Sequence, residues 1–251
     1  MTSTDRFASL CVLSYNRPQF LDECLASLAA DPGFPFELIV HDDGSQNPLA
    51  RDVIYQEIED GRISTAFINP PGHNQGQGVA LNRMFAVAKG DPIIKLDQDL
   101  SNFRPGWLKT VVELLDSNHQ LDGFVPGTRV EPRIGLLGLL HYHHDPVDSA
   151  KTRLEQFEGW SSRTHILGSA FAVTRECWKA LGPFEEHSDA FAEDNAFQLK
   201  VAASQGFVCG LPDEDLVDNL NMGLGPSTIV AQENGEIVVT KINKQPVVFA
   251  P

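Results

Sequence analysis

Two aspartates, Asp97 and Asp99, stand one residue apart where the apolar run IIKL ends. On an extended segment, residues i and i+2 point to the same side, so both carboxylates can face one cation. Mg²⁺ and Mn²⁺ prefer carboxylate oxygen, and a site with few protein ligands leaves room for phosphate oxygens. Aspartates are also common in the turns that end strands. Taken alone, this pair fits a solvated turn better than a metal site.

Two further acidic pairs could carry chemistry. Asp42 and Asp43 precede Gly44 after another apolar run, where a carboxylate could accept hydrogen bonds from a base or a ribose, or could only form a turn. Glu193 and Asp194 open a helical pattern, where acidic residues commonly cap the helix. A carboxylate there could instead accept a proton from a substrate hydroxyl. Free aspartate has a pKa of about 3.9, so that transfer must come late in the reaction.

Strands that alternate with helices must position the first two pairs. Ligands of such α/β sheets collect at the carboxyl ends of the strands, the edge that carries both aspartate pairs. The alternation predicts an α/β fold with a mostly parallel, Rossmann-like sheet covered by helices on both faces. The strand-like runs are ASLCVLS, FELIVHDDGS, RISTAFINP and DPIIKL, and the helical patterns are RPQFLDECLASLAA, ARDVIYQEIEDG and GQGVALNRMFAVAKG.

The alternation is lost in the second half of the chain. After the helical pattern GWLKTVVELLDSN, residues 129–163 predict a long functional loop or a small helical insertion. Order returns with THILGSAFAVTRECWKALG, a strand and a short helix, and with EDNAFQLKVAASQGF, a helix that leads into the strand FVCGL. In the tail, STIVAQENGEIVVTK places two β-rich runs about an Asn-Gly pair and predicts a hairpin.

Composition limits the partners. The formal net charge of −15 gives no general attraction to nucleic acids or anionic lipid surfaces. No signal-peptide pattern and no run long enough to span a bilayer occurs, so we expect a cytoplasmic protein without integral membrane contact. Four cysteines lack metal-type spacing and are expected to be reduced and buried: Cys11, Cys24, Cys177 and Cys209.

Other catalytic patterns fail or stay weak. The glycines of GHNQGQG lack the lysine of a P-loop, and no GxSxG motif of a serine hydrolase occurs. The cluster HYHHDP, with His141, His143 and His144, fits a wet loop better than a structural zinc site.

Five segments, taken in order, resemble the family 2 glycosyltransferases of GT-A fold. They are CVLSYNRPQFLDECLASL, FELIVHDDGS, NQGQGVALNRMFAVAKGDPIIKLDQDL, ILGSAFAVTRECWKALGPFEE and FAEDNAFQLKVAASQGF, and together they cover most of Ala8 to Leu211. The resemblance implies a single domain over 1–215, with a nucleotide-sugar half (1–103) and an acceptor half (104–215) that includes a variable loop (129–165). A C-terminal extension with the hairpin, 216–251, follows.

The resemblance also implies roles for individual residues. Asp194 corresponds to the catalytic base, with Glu193 beside it. Asp99 corresponds to the main ligand of a divalent cation, Mn²⁺ or Mg²⁺, and Asp97 to its partner toward the sugar nucleotide. The acceptor side would include Trp160, which could stack on a sugar or close a core, together with Gly168 and Ser169. The nucleotide-sugar-binding positions would be Ser14, Tyr15, Asp42, Asp43, Asn74, Gly76 and Asp97.

One departure affects the cation site. Family members often carry a histidine near the metal after the helix that Glu193 and Asp194 open, and this chain has Asn219 and Asn221 in that stretch. The third metal ligand is therefore open, and water or phosphate could take its place.

The leading hypothesis is a metal-assisted, inverting glycosyltransferase with a UDP- or GDP-type donor. Its acceptor stays open among a glycan, a lipid-linked sugar, a protein, a small metabolite and a modified base, and its oligomeric state is not specified. Two alternatives remain. A nucleotidyltransferase would ordinarily show a glycine-rich basic loop after the first strand, where this chain has SYNRPQF. A catalytically silent module that binds sugar nucleotides or glycans is the other alternative.

Overall fold

A nine-stranded mixed sheet with helices on both faces forms the centre of the protein. This confirms the predicted α/β fold with a mostly parallel sheet. The structure is a computed structural model. It describes residues 6–117, 133–141, 153–186, 193–204 and 206–219, and the backbone of 228–233, 236–241 and 247–249.

The first half alternates strands with helices, as the sequence predicts. The strands are β1 (Ala8–Ser14), β2 (Phe36–Asp42), β3 (Thr65–Ile68) and β4 (Ile93–Asp97), and the helices are α1 (Pro18–Ala30), α2 (Pro48–Glu59) and α3 (Gln77–Val87). The strands lie in the order β3-β2-β1-β4 and run parallel. β1 is buried at every position, as expected for a parallel strand covered on both faces. Their carboxyl ends therefore meet at one edge.

The second half contributes strands of both directions. They are β5 (Leu100–Ser101), β6 (Arg133–Gly138), β7 (Arg153–Phe157), β8 (Trp160–Arg163), β9 (Ala170–Val173), β10 (Phe207–Pro212) and β11 (Asp218–Asn219), with helices α4 (Trp107–Ser117), α5 (Arg175–Leu181) and α6 (Glu193–Ala203). β9 is antiparallel to both β4 and β6. The start of β9 consequently reaches the same edge as the ends of β4 and β6.

The expectation of a loop or a helical insertion over 129–163 is wrong for the residues that the structure describes there. β6, β7 and β8 belong to the central sheet. β6 has the sequence RIGLLG, whose two glycines sit under neighbouring side chains: a Cβ at Gly135 would lie 2.8 Å from the Cys177 Sγ, and one at Gly138 would lie 3.0 Å from Leu211. Close packing on both faces of β6 explains its glycines. The sequence RIGLLG matches neither the alternating pattern of a strand nor the spacing of a helix, so the pattern alone does not predict β6.

Two apolar cores lie on opposite faces of the sheet. One joins residues of α1, α2 and α4 to Leu10, Ile94 and Leu96. The other joins residues of α3, α5 and α6 to Cys11 and Ile93. Because side chains alternate along β4, the odd-numbered positions face the layer of α3, α5 and α6.

The C-terminal part begins inside the domain. Leu216 and Val217 are buried in the first of these cores, and β11 pairs with β5. A separate antiparallel sheet follows, made of β12 (Thr228–Glu233), β13 (Glu236–Lys241) and β14 (Val247–Phe249). Its first two strands confirm the predicted hairpin, and β14 extends it.

All four cysteines are free and buried, as predicted. Among the described residues, none of the helices combines the length and the apolar character that a membrane crossing requires.

Candidate active site

The turn after β4 carries Asp97 and Asp99, and each carboxylate has a cationic partner. Lys95 Nζ lies 2.6 Å from Asp97 Oδ1, and Arg17 Nη1 lies 3.3 Å from Asp99 Oδ2. The other Asp99 oxygen, Oδ1, is buried and has no hydrogen-bond partner among the described residues. Asp99 therefore keeps one oxygen that the surrounding protein does not use.

Asp97 lies among charges. Burial raises its pKa to about 6, Lys95 opposes that rise, and the carboxylates of Asp99 and Asp194 add to it. The Asp97 N–H donates to the Ser169 carbonyl at 2.9 Å, and the Asp194 carboxylate lies against the neighbouring Gly168, so the end of β4 and the start of α6 meet at the site. The structure thus brings together three of the acidic residues that the sequence singled out.

Gln98, between the two aspartates, ties this turn to the end of β1. Its Oε1 accepts the N–H of Tyr15 at 3.1 Å, and its Nε2 donates to the Tyr15 carbonyl at 2.8 Å. The Tyr15 side chain is exposed, whereas Ser14 Oγ is buried without a hydrogen-bond partner in the described part of the chain. The amide of Gln98 therefore extends the pairing of β1 and β4 beyond their ends.

Asp42, the last residue of β2, is fully buried, and its carboxylate serves the turn that follows. Oδ2 accepts the N–H of Ser45, and Oδ1 accepts the Ser45 hydroxyl. Gly44 has φ +83°, and a Cβ there would lie 2.8 Å from the His73 backbone. This geometry supports the turn interpretation of Asp42 rather than direct contact with a nucleotide.

Asp43 organises the loop that precedes α3. Its Oδ1 accepts hydrogen bonds from Asn69 Nδ2 and from the N–H of Gln75, both at 2.8 Å, and its Oδ2 accepts the N–H of Gly76 at 2.9 Å. Asn74 is exposed at the tip of this loop and also accepts the Gly76 N–H. Asp43 therefore fixes the loop that the resemblance assigns to the nucleoside, and three internal donors already occupy its carboxylate.

Asp194 stands in the first turn of α6. Its Oδ1 accepts the N–H of Asn195 at 2.7 Å, and its Oδ2 lies so close to Gly168 that a Cβ on this glycine would overlap it. The neighbouring Glu193 is buried. Gly168 and Ser169 are partly exposed at the start of β9, beside the end of β4. The predicted acceptor-side glycine and the predicted base are therefore in direct contact.

Two other sequence candidates lie in packing roles. Trp160 is 6% exposed, stacks on Phe157 with ring centroids 4.3 Å apart, and joins the core on the α4 face. The structure thus favours the core alternative for Trp160. His141 is held by Asp215, whose Oδ1 lies 2.7 Å from His141 Nδ1, and His143 and His144 lie outside the described residues.

Sequence reasoning missed Lys95, Arg17 and Gln98. A lysine inside the apolar run IIKL was a usable signal, because lysine is almost never fully buried unless it is paired. Asn219 lies on β11, opposite Leu100, and Asn221 lies outside the described residues.

A comparison with family models decides the family. The model described as Glycosyl transferase family 2 matches residues 9–177, more than half of the chain. The chain belongs to glycosyl transferase family 2. The match includes the end of β2, the Asp97–Asp99 turn and β9, and it ends before α6.

Curated relatives of this family 2 protein are longer. An uncharacterized glycosyltransferase of Nostoc sp. is 33% identical over 173 residues, which is 68% of this chain and 47% of the relative. The chain thus spans about half the length of that relative. An undecaprenyl-phosphate 4-deoxy-4-formamido-L-arabinose transferase of Pseudomonas savastanoi pv. phaseolicola is 31% identical over 128 residues, which is 49% of this chain and 37% of the relative.

Solved structures show the same fold. A mannosyltransferase from Pyrobaculum calidifontis, in complex with GDP-Man and Mn²⁺, aligns with a TM-score of 0.62 at 19% identity, over 85% of this chain and 56% of its own. This likeness, at low identity, confirms the GT-A type of architecture that the resemblance implied for the family 2 chain.

Proposed function

We propose that the protein transfers a sugar from a nucleoside-diphosphate sugar, of UDP or GDP type, to an acceptor hydroxyl. The observation that carries this proposal is the convergence of Asp97, Asp99 and Asp194 at one sheet edge, where the Asp97 N–H bonds to the Ser169 carbonyl and the Asp194 carboxylate lies against the neighbouring Gly168. Family membership supports transfer of a sugar. The solved mannosyltransferase was bound to GDP-Man, which supports a sugar nucleotide as the donor.

The donor would lie over the ends of β1, β2 and β4. Asp43 holds the backbone of Gln75 and Gly76 in place, so the loop presents a fixed surface to the nucleoside. The exposed side chains of Tyr15 and Asn74 stand at that surface. Pre-organised backbone at a binding edge lowers the entropy lost when the donor binds.

A divalent cation, Mn²⁺ or Mg²⁺, fits the oxygen donors at this turn. Asp99 Oδ1 has no hydrogen-bond partner among the described residues, and Asp97 lies on the same strand end. The described residues contain no group of three or more His, Cys, Asp or Glu side chains that could hold a metal. The chain would therefore supply two carboxylates and leave the remaining positions to phosphate oxygens and water. When bound, the cation supplies positive charge that stabilises the departing diphosphate.

Asp194 would act as the base that deprotonates the acceptor hydroxyl. The Asn195 N–H orients its carboxylate at the start of α6, where the helix dipole stabilises negative charge. The hydroxyl attacks the anomeric carbon from the face opposite the leaving diphosphate, the anomeric C–O bond breaks, and the proton passes to Asp194 late in the displacement. One displacement inverts the anomeric centre and forms no covalent glycosyl-enzyme.

Two measurements test this proposal. A thermal-shift panel of UDP- and GDP-sugars, with and without Mn²⁺, should show a stabilised complex, because a ligand at a hundredfold excess over its Kd adds about 2.7 kcal/mol to the unfolding free energy. With the donor found, Asp194→Asn should lower turnover about 100- to 10,000-fold while donor binding stays, since a general base contributes this range. Asp22→Asn, an exposed change on α1, is the matched control and should leave turnover unchanged.

Other outcomes would support the alternatives. Donor binding without transfer to any acceptor and without hydrolysis would indicate a silent binding module. Release of pyrophosphate from a nucleoside triphosphate and a sugar phosphate would indicate a nucleotidyltransferase. Full turnover in Asp194→Asn would remove this residue from the mechanism.

A further inference from the structure

Lys95 is a buried cation in the middle of the central sheet. Its side chain is 3% exposed on β4, between β1 and β9. Besides its ion pair with Asp97, its Nζ donates to the carbonyl of Gly168 at 2.5 Å and lies 5.9 Å from the centre of the Phe171 ring. Neutralising Asp97 requires the ion pair alone. The hydrogen bond to Gly168 is an additional connection, made to the acceptor half.

The backbone beside Lys95 makes the same connection. The Asp97 N–H donates to the Ser169 carbonyl at 2.9 Å. Lys95 and Asp97 are two residues apart on β4, so both side chains face the layer that contains α6. Two successive carbonyls, those of Gly168 and Ser169, are thus held from β4, one by a side chain and one by a backbone amide.

Gly168 in turn lies directly against Asp194. The Asp194 carboxylate occupies the place that a Cβ on Gly168 would take. Any movement of the Gly168 peptide would therefore move the surface against which this carboxylate rests. A continuous path of contacts runs from Asp97 through Lys95 and Gly168 to Asp194.

The charges explain why a cation stands in this path. Asp99 and Asp194 each act on Asp97 as like charges, and such groups repel when they are drawn together in a partly buried site. Lys95 is buried and forms an ion pair with Asp97. The same ammonium group also donates a hydrogen bond to the carbonyl of Gly168, the residue against which Asp194 lies.

We propose that Lys95 is a positioning residue. Through the Gly168 peptide, it holds the Asp194 carboxylate at a fixed position relative to Asp97. The inference rests on the proposed function. It names a residue that determines where the base Asp194 stands relative to the bound donor. Lys95 itself touches neither the acceptor nor the donor in this account.

The test separates turnover from donor affinity. The purified 251-residue chain is compared with Lys95→Met, a neutral side chain of similar length, and with Gly168→Ala, whose methyl group would displace the Asp194 carboxylate directly and so shows the loss expected when the base alone is moved. Both variants should lower kcat at least tenfold, measured as release of nucleoside diphosphate from the donor. Donor Kd in the presence of Mn²⁺, measured by calorimetry, should stay within about threefold, a change of about 0.7 kcal/mol.

Matched controls remove general effects of the substitutions. Lys109→Met breaks an exposed ion pair with Glu113 on α4, and Gly206→Ala adds a methyl group where nothing lies within 4 Å. Both should keep the kcat of the original protein. In the Asp194→Asn background, Lys95→Met should cause no further loss, because residues that act through one another are not additive.

Each result decides the question. Wild-type kcat in Lys95→Met, or a donor Kd that weakens in parallel with kcat, would overturn the inference. If Lys95→Met does not fold, Lys95→Gln, which removes the charge but keeps a polar side chain, takes its place in the same comparison. Absence of donor binding and turnover in the original protein would count against the proposed function, before any variant is compared.

Discussion

Two pairs of aspartates end strands at the same edge of the sheet, yet their carboxylates are used in opposite ways. Asp42 and Asp43 accept five hydrogen-bond donors from the loops around them. Asp97 and Asp99 face cationic side chains, and one Asp99 oxygen has no partner in the described part of the chain. Two pairs of one residue type, each at the end of a parallel strand, therefore do different work: the first builds the loops, and the second keeps capacity for a ligand.

We infer from this difference that the number of internal hydrogen bonds a carboxylate accepts is a better guide to its role than its residue type or its position. Carboxylates with many internal donors hold loops in place, and those with an unused oxygen can bind a ligand. Asp42 would lose two internal hydrogen bonds and Asp43 three if either turned to a ligand, and each buried donor left behind costs about 1–3 kcal/mol. A carboxylate with an unpartnered oxygen loses nothing comparable when it meets a cation or a hydroxyl.

The largest expected effect concerns the second pair. Asp99→Asn should lower turnover about 100- to 1,000-fold, or about 3–4 kcal/mol in barrier height, because it removes a charge that faces the leaving group and its cation. Its unfolding free energy in urea should fall by no more than about 1 kcal/mol, since the change weakens the Arg17 pair of Oδ2 but ends no hydrogen bond of Oδ1. If Asp99→Asn lost stability as strongly as turnover, the second pair would serve the structure of the protein as the first pair does.

The first pair should respond in stability. Asp43→Ala leaves the side-chain amide of Asn69 and the backbone N–H groups of Gln75 and Gly76 without their acceptor. The unfolding free energy should fall by about 3 kcal/mol. Asp52→Ala, on the exposed face of α2, should change it by less than about 0.5 kcal/mol. A stable Asp43→Ala protein that has lost donor binding would instead place Asp43 against the nucleotide.

His41 immediately precedes the first pair on β2, and it should make the unfolding free energy fall at acid pH. Burial lowers the pKa of His41 to about 4, and Arg83 adds to this while Asp43 opposes it. Between pH 6.5 and 4 the unfolded chain binds a proton that the folded protein does not, so stability is full above pH 6.5 and falls as pH drops. The loss should approach about 3 kcal/mol at pH 4.

A variant isolates this contribution. Both ring nitrogens of His41 are buried without hydrogen-bond partners among the described residues, and the ring stacks on Phe67. His41→Phe should therefore match the original protein at pH 7 and lose less stability toward pH 4 in urea titrations. An identical decline in both proteins would show that other groups cause it.

The smallest effect should come from the connection between β1 and the second pair. Gln98→Leu removes two hydrogen bonds with the Tyr15 backbone and should lower the unfolding free energy by about 1–2 kcal/mol. Gln56→Leu, which removes an exposed bond to Asp60, is the control and should change it by less than about 0.5 kcal/mol. A neutral Gln98→Leu would show that the strand ends keep their register unaided.

Much of the donor half could be predicted from the sequence, because local patterns determine it. Runs of apolar residues, helical spacing and turn residues mark β1 to β4 and α1 to α3, and the order of the strands places the acidic pairs at one edge. The positions of Asp97 and Asp194 followed from the resemblance together with this pattern.

The rest depends on contacts between distant parts of the chain. Lys95 and the Gly168 carbonyl are 73 residues apart, and nothing in IIKL indicates this partner. The saturation of Asp42 and Asp43 depends on where the following loops return. β6 is a strand because Cys177, Phe207 and Leu211 pack over its glycines. Such pairings lie beyond the range of local spacing.

The reversed direction of β9 offers a route for engineering. The segment between β6 and β9 leaves and re-enters the sheet at the ligand edge, where Leu139 donates to the carbonyl of Ala170 at 3.1 Å. Within it, β8 and β7 occupy the outer edge of the sheet. Exchanging this segment between relatives, with Gly168 and Ser169 retained, would keep the contacts of β4 with the start of β9. If the segment forms the acceptor side under the proposed function, such an exchange would select a new acceptor without rebuilding the donor site.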